Sequence, residues 1–203
     1  MTTQTETGIT ALVFGERRLP RFLAAVPVAR IAVPADVDAV IDGVRRLVVV
    51  GSDADLAAVL SRLLRKDQLD IEVAQVGNWL SARRALSGAA RRVPLIRDDT
   101  GTAVVAAALW LPPSGAATLR GEVVVDDTVL FDGEAAGVRI EPTAQMPGLR
   151  AAVLGGLRSR WVTGRAVQLG TTGALVERDG VAGAREVNRS TFYRHTTGWL
   201  RVS

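Results

Sequence analysis

Apolar residues come in short, sharply bounded runs along the first ninety positions. Ile9 to Phe14 is one run, stopped by Gly15, and Ala29 to Val33 is another, stopped by Pro34. From Ala35 to Val44, the residues Val37, Val40, Ile41 and Val44 recur at helical spacing, which predicts a helix. Leu47-Val48-Val49-Val50 is a continuous run dominated by β-branched residues, as expected of a strand buried on both faces. It ends at Gly51-Ser52-Asp53. Leu56, Val59, Leu60, Leu63 and Leu64 then predict a helix that Ser52 or Asp53 is placed to cap. Ile71 to Val76 reads as the next strand, and Gly77-Asn78 opens a helix carrying Trp79 and Leu80. Strands alternating with helices predict a parallel sheet with crossover helices, although Gly15 to Val28 is short for a full crossover helix.

The pattern changes near Val93-Pro94. Strand-like runs follow at Ala103–Leu111, Gly121–Val125, Thr128–Phe131, Gly137–Glu141, Arg150–Leu154, Arg165–Leu169 and Ala174–Glu177. Turn signals such as Asp126-Asp127, Asp132-Gly133, Pro147-Gly148 and Asp179-Gly180 separate them, and short strands at this spacing predict an antiparallel sandwich or barrel. The expected fold class is therefore an α/β N-terminal domain with a parallel sheet over residues 1–93, followed by a β-sandwich C-terminal domain.

Composition narrows the chemistry. With 48% hydrophobic residues the chain buries enough apolar surface to fold, so disorder is excluded. It has no cysteine, hence no disulfide framework, thiolate metal site or cysteine nucleophile. Its single histidine, His195, excludes sites needing two imidazoles. The formal net charge is +4, carried almost wholly by arginine. The lone lysine, Lys66, lies outside any glycine-rich loop, so a Walker-type phosphate loop is absent. Aromatic residues at 4% argue against a stacking surface for single-stranded nucleic acid. The opening residues have no basic start with an apolar run behind it, and Pro112-Pro113-Ser114-Gly115 interrupts the stretch Gly101 to Leu119. Neither a signal peptide nor a transmembrane segment is expected, which predicts a cytoplasmic protein with peripheral membrane contact left open.

Val50-Gly51-Ser52-Asp53 is a strand-to-helix turn at the carboxyl edge of a parallel sheet, where α/β folds bind ligands and a helix N-terminus offers amides to an anion. Gly77-Asn78 is a second turn of this kind. Either the two face one cleft or both are plain tight connections. In their order and spacing these turns resemble the diacylglycerol kinase family of soluble lipid kinases, related to the NAD kinases. The family's Gly-Gly-Asp-Gly-Thr before an apolar helix corresponds to Gly51-Ser52-Asp53-Ala54-Asp55-Leu56, and its Pro-x-Gly-Thr-x-Asn-Asp to Gln75-Val76-Gly77-Asn78-Trp79-Leu80-Ser81. Its Asp-Gly-Glu corresponds to Asp179-Gly180-Val181, and its tail to Tyr193-Arg194-His195.

The resemblance covers about Leu47 to Ser203. It implies a β-sandwich over 94–186, a tail over 187–203 returning to the first domain, and a nucleotide-binding remnant at Gly51, Ser52, Asp53, Gly77 and Asn78. Ser52 and Ala54 replace phosphate-approaching glycines, Asp55 stands in place of threonine, and Leu80-Ser81 replaces the Asn-Asp pair. Val181 replaces the glutamate that serves the family as general base. These departures imply a diacylglycerol-kinase-like pseudokinase acting as a binding or regulatory module, with a protein or an anionic lipid surface as partner and no nucleic acid. The alternative implied is an active lipid kinase that transfers phosphate from ATP to a lipid hydroxyl such as that of diacylglycerol. That enzyme would use ATP and Mg²⁺, with Asp53 and Asp179 near the metal.

Other candidates have plainer readings. Asp132-Gly133-Glu134 spells the family tripeptide, but Asp-Gly is a hairpin signal and its distance from the C-terminus does not match. His195 reads as a general base or as a structural histidine. Asp98-Asp99 and Asp126-Asp127 are adjacent acids that would point to opposite faces of a strand, against a metal site. The pairs Arg17-Arg18, Arg45-Arg46, Arg83-Arg84 and Arg91-Arg92, with Arg158, Arg160 and Arg165, suit anionic headgroups or reflect arginine-rich composition. Trp79, Trp110, Trp161 and Trp199 read as core or interface residues.

Overall fold

A computed structural model describes residues 8–77, 79–155 and 160–203, with only the backbone given for residues 79, 80 and 82. The chain divides into two compact units, residues 1–93 with 198–203, and residues 94–197. The first holds β1 (Ile9–Phe14), β2 (Val28–Ile31), β3 (Arg46–Val50), α1 (Asp53–Arg65), β4 (Glu72–Gln75), α2 (Trp79–Ser87) and β5 (Ala90–Val93). Its sheet runs β2-β1-β3-β4, then the C-terminal strand Trp199–Val202, then β5. The strands are parallel except β5, which pairs antiparallel with Trp199–Val202. Leu47 to Val50 are buried, consistent with a central strand covered on both faces. α1 turns Leu56, Val59, Leu60 and Leu63 inward as its periodicity requires.

Helical spacing misleads at residues 35–44. Instead of a regular helix there is a 3-10 segment, Pro34–Ala39, held by the Asp36 carboxylate, which accepts from the amides of Ala32 and Val33 at 2.9 and 3.0 Å. Val37 and Ile41 are buried nonetheless, and Gly43, at φ +72°, turns the chain into β3. Between β1 and β2 the connection is also a 3-10 turn, Arg21–Leu23.

The second unit is antiparallel. Its strands run Val162–Gly164, Leu149–Val153, Val138–Pro142, Ala108–Leu111, Ala166–Arg178, Val187–Arg194, Ile96–Asp98 and Ala103–Val104. A hairpin of Leu119–Val125 and Thr128–Ala135 joins onto Ala166–Arg178. That 13-residue strand spans what the sequence suggests are two strands. Its first half pairs with Leu119–Val125 and its second with Ala108–Leu111, and its register with Val187–Arg194 slips between Gly170 and Ala174. The slip lets Val167 and Leu169 before it, and Ala174 and Val176 after it, all enter one core. There Trp110 packs on Phe192 with ring centroids 5.6 Å apart, and the Trp110 Nε1–H donates to Ser190 Oγ at 3.0 Å. A Cβ on Gly121 would lie 2.2 Å from the Gly170 carbonyl oxygen, so only glycine permits this strand approach.

Three expectations need correction here. Ala103–Leu111 is not one strand but two, broken where the amides of Val105, Ala106 and Ala107 turn toward Asp179. Asp132-Gly133 does not turn: the hairpin bends at Asp126-Asp127, and Asp132–Glu134 lie inside Thr128–Ala135. The returning tail is shorter than 187–203, because Val187–Arg194 pairs with Ala166–Arg178 and Ile96–Asp98 within the second unit. The first unit takes only Gly198–Ser203.

Paired carboxylates give the fold a pH dependence. Hydrogen bonds from Arg62 to Asp38, and from Arg120 and Thr118 to Glu134, hold both carboxyls below their ordinary range. Burial opposes ionisation of Glu141, but Arg139 and Arg150 outweigh it and its carboxyl is lowered too. A carboxyl lowered in the folded state stabilises it fully above the unfolded value and less as pH falls through the folded one. In a calorimetric pH series, Tm is therefore expected to hold near neutrality and to fall below about pH 4. A Tm that rises on acidification would contradict these pairings.

Candidate functional site

Strands β1, β3 and β4 of the first unit end side by side, and the turns after them surround a cavity of about 560 Å³. Val50 and Gly51 after β3, and Val76 and Gly77 after β4, form one side. Arg17, Arg18, Pro20, Arg21 and Phe22 from the connection after β1 form the other. Gly51 and Gly77 thus face one cleft. Asn78 lies outside the described residues.

Local sequence explains how the β1–β2 connection presents its arginines. Leu23 is buried in the core with Val13, Val48 and Val76, and Leu19 and Val26 pack partly against the same cluster. These residues recur at helical spacing and anchor the segment to the sheet. Arg17, Arg18, Arg21 and Phe22 are left exposed at the cleft, Phe22 to 51%. This apolar spacing of Leu19, Leu23 and Val26 is the signal that would have found the arginine wall from sequence.

At the β3–α1 turn, the Ser52 and Asp55 donors of the helix N-terminus are taken up from within. The Asp55 carboxylate accepts from the Ser52 amide at 2.7 Å and the Ser52 hydroxyl at 2.8 Å. The Asp55 amide donates to Ser52 Oγ at 3.3 Å, completing a capping box. Arg17 Nη1 lies 3.2 Å from the same carboxylate and also donates to the Phe14 carbonyl. Gly51 is glycine for a matching reason: a Cβ there would stand 2.7 Å from the Asp55 Cβ. Asp53 accepts from Gln75 Nε2 at 2.9 Å, and the Gly77 amide donates to Ser81 Oγ at 3.1 Å.

In the second unit Asp179, Asp98 and Asp126, all singled out from sequence, hold backbone amides. Asp179, at φ +49°, accepts from the amides of Val105, Ala106 and Ala107. Asp98 is fully buried, accepts from the amides of Thr100 and Thr102, and pairs with Arg178 at 2.6 Å. Asp126 accepts from the amides of Arg165 and Ala166. Glu134 is bound by Arg120 and Thr118, and the His195 amide donates to the Leu95 carbonyl. Val181 is exposed in the two-residue strand Val181–Ala182. Among the described residues no group of three or more histidine or acidic side chains is placed to hold a metal ion. No described helix is long and apolar enough to cross a membrane.

No protein-family model matches the sequence, and no curated protein sequence matches it. Solved structures do. A diacylglycerol kinase from Bacillus anthracis str. Sterne superposes with TM-score 0.73 at 12% identity, over 96% of each chain. An NAD kinase from Archaeoglobus fulgidus, in complex with ATP, superposes with TM-score 0.65 at 13% identity, over 96% of this chain and 93% of that one. At these identities the likeness speaks for the fold alone. This chain, an α/β unit followed by an antiparallel β unit, thus has the fold of these solved diacylglycerol kinase and NAD kinase structures over nearly its whole length.

Proposed function

We propose that the chain is a diacylglycerol-kinase-like module that binds rather than phosphorylates. The observation that carries this reading is the Asp55 carboxylate on the Ser52 amide and hydroxyl, 2.7 and 2.8 Å away. A phosphate approaching the turn would have to displace a carboxylate that the same donors already satisfy, and would meet the charge of Asp53 and Asp55 in the first helical turn. The donor set therefore does not fit the triphosphate of ATP with Mg²⁺. Asp53 and Asp179, the acids the family resemblance would assign to the metal, are engaged by Gln75 and by backbone amides. At the position of the family's general base, Val181 has no titratable group, and a missing base typically costs about 10² to 10⁴ in rate.

Thermal denaturation with millimolar ATP and Mg²⁺ tests the reading. No saturable rise in Tm is expected for the native sequence. Asp55→Thr should lose about 0.5–2 kcal/mol of stability with the cap, and it frees the Ser52 amide for an anion. A saturable rise for the native sequence, accompanied by transfer of label from ATP to diacylglycerol, would overturn the proposal in favour of an active lipid kinase.

A further inference from the structure

We infer that the cleft between the two glycine turns and the Arg17–Phe22 segment binds an organic phosphate monoester without a metal. Arg18 and Arg21 hold its head, and Phe22, Val50 and Val76 carry its carbon body. The inference rests on the proposed closure of the Gly51–Asp55 turn and names what the neighbouring wall takes instead.

Charge selects the head. Of the three guanidinium groups on the wall, that of Arg17 is committed to Asp55 and the Phe14 carbonyl, whereas those of Arg18 and Arg21 have no hydrogen bond or ion pair to any described residue. Two uncompensated guanidinium groups match a phosphate monoester, which carries a charge of about −1.5 to −2 at neutral pH. Their planar forks suit phosphate oxygens, and among the described residues no carboxylate or imidazole lines the cavity to bring in a cation. A triphosphate would leave charge uncompensated.

Shape and polarity select the body. A volume of about 560 Å³ lies within the range of small-molecule sites, roughly 300–1,000 Å³. Val50 and Val76 line it from the strand ends, and an exposed phenyl ring stands at its wall. Exposed aromatic surface beside cations fits an amphiphile, with an apolar part on the ring and an anionic part on the arginines.

The test is calorimetric titration of the full chain with phenyl phosphate and with inorganic phosphate in EDTA, and with ATP in Mg²⁺. Flotation with phosphatidylcholine vesicles, with and without phosphatidic acid, accompanies it. Phenyl phosphate should bind at least about tenfold tighter than inorganic phosphate, and Arg18→Gln with Arg21→Gln should weaken it at least about tenfold at unchanged Tm. Phe22→Ser should weaken phenyl phosphate and leave inorganic phosphate unaffected. Flotation only on phosphatidic acid would identify the ester as a lipid, and phenyl phosphate binding without flotation would identify it as soluble; both support the site. Equal affinity in the parent and the double variant would overturn it. So would failure of phenyl phosphate to bind, which leaves the closed turn standing if ATP also fails. Binding of ATP with Mg²⁺ that depends on Arg18 and Arg21 would overturn both readings.

Discussion

Ending the chain after Thr197 is expected to unfold the first unit while the second stays folded. The strand Trp199–Val202 sits between β4 and β5, pairing Leu200 with Glu72 on one side and Arg92 on the other. Trp199 and Val202 are each 7% exposed, and Val202 packs with Val48, Val50 and Ala74. Removing the strand bares the edge of β4, detaches β5 and exposes those side chains. Each large apolar side chain is worth about 1.5–3 kcal/mol, against a total stability of about 5–15 kcal/mol for a domain. Hydrogen exchange should show protection lost across residues 8–93 and kept across 94–197. Unchanged protection in both units would refute the expectation.

Arg46→Leu should be the most damaging point substitution in the first unit, at about 3–5 kcal/mol, the usual cost of breaking a buried pair. Arg46 is 4% exposed, and its donors are distributed over two elements. Its Nε donates to Glu72 at 2.6 Å. Its terminal nitrogens donate to the carbonyls of Ala85, Leu86 and Gly88, each at 2.9 Å. These carbonyls close the end of α2, where a cation is also favoured by the helix dipole. The substitution strands Glu72 and the helix end together. Arg46→Lys keeps the charge but not the fork, so it should recover only part of the loss. Urea midpoints for the parent and both variants decide the matter; a lysine variant as stable as arginine would show that charge alone suffices.

What the sequence disclosed and what it hid follow from the range of the forces involved. The strand Leu47–Val50 and helix α1 were legible because burial on both faces, or on one stripe, writes a period into neighbouring residues. Ser52 was legible as a cap because capping closes within one turn, whereas the return bond to Asp55 emerged only in the structure. Asp179 was not, because its partners at Val105 to Ala107 lie some seventy positions upstream. Arg46 looked like one member of a surface arginine pair, since nothing local says that α2 will end against it. At Asp132-Gly133, pairing with Glu122 and Gly121 across the hairpin overrode the local turn preference. The fold class was thus readable from periodicity, whereas the roles of the acids required the tertiary structure.

The interleaving of the two units has a consequence for biosynthesis. Residues 94–197 make up the second unit as one continuous segment, whereas the sheet of the first needs residues 199–202. A nascent chain usually acquires structure from its N-terminus forward. Here that order is reversed. The first ninety residues leave the ribosome early with β4 unpaired on one side, and wait while the whole intervening unit is translated. The last strand then closes the oldest sheet. During that interval the bare β4 edge and the apolar face around Val48 and Val50 are the surfaces most in need of a chaperone, and slowing translation of the second unit prolongs their exposure.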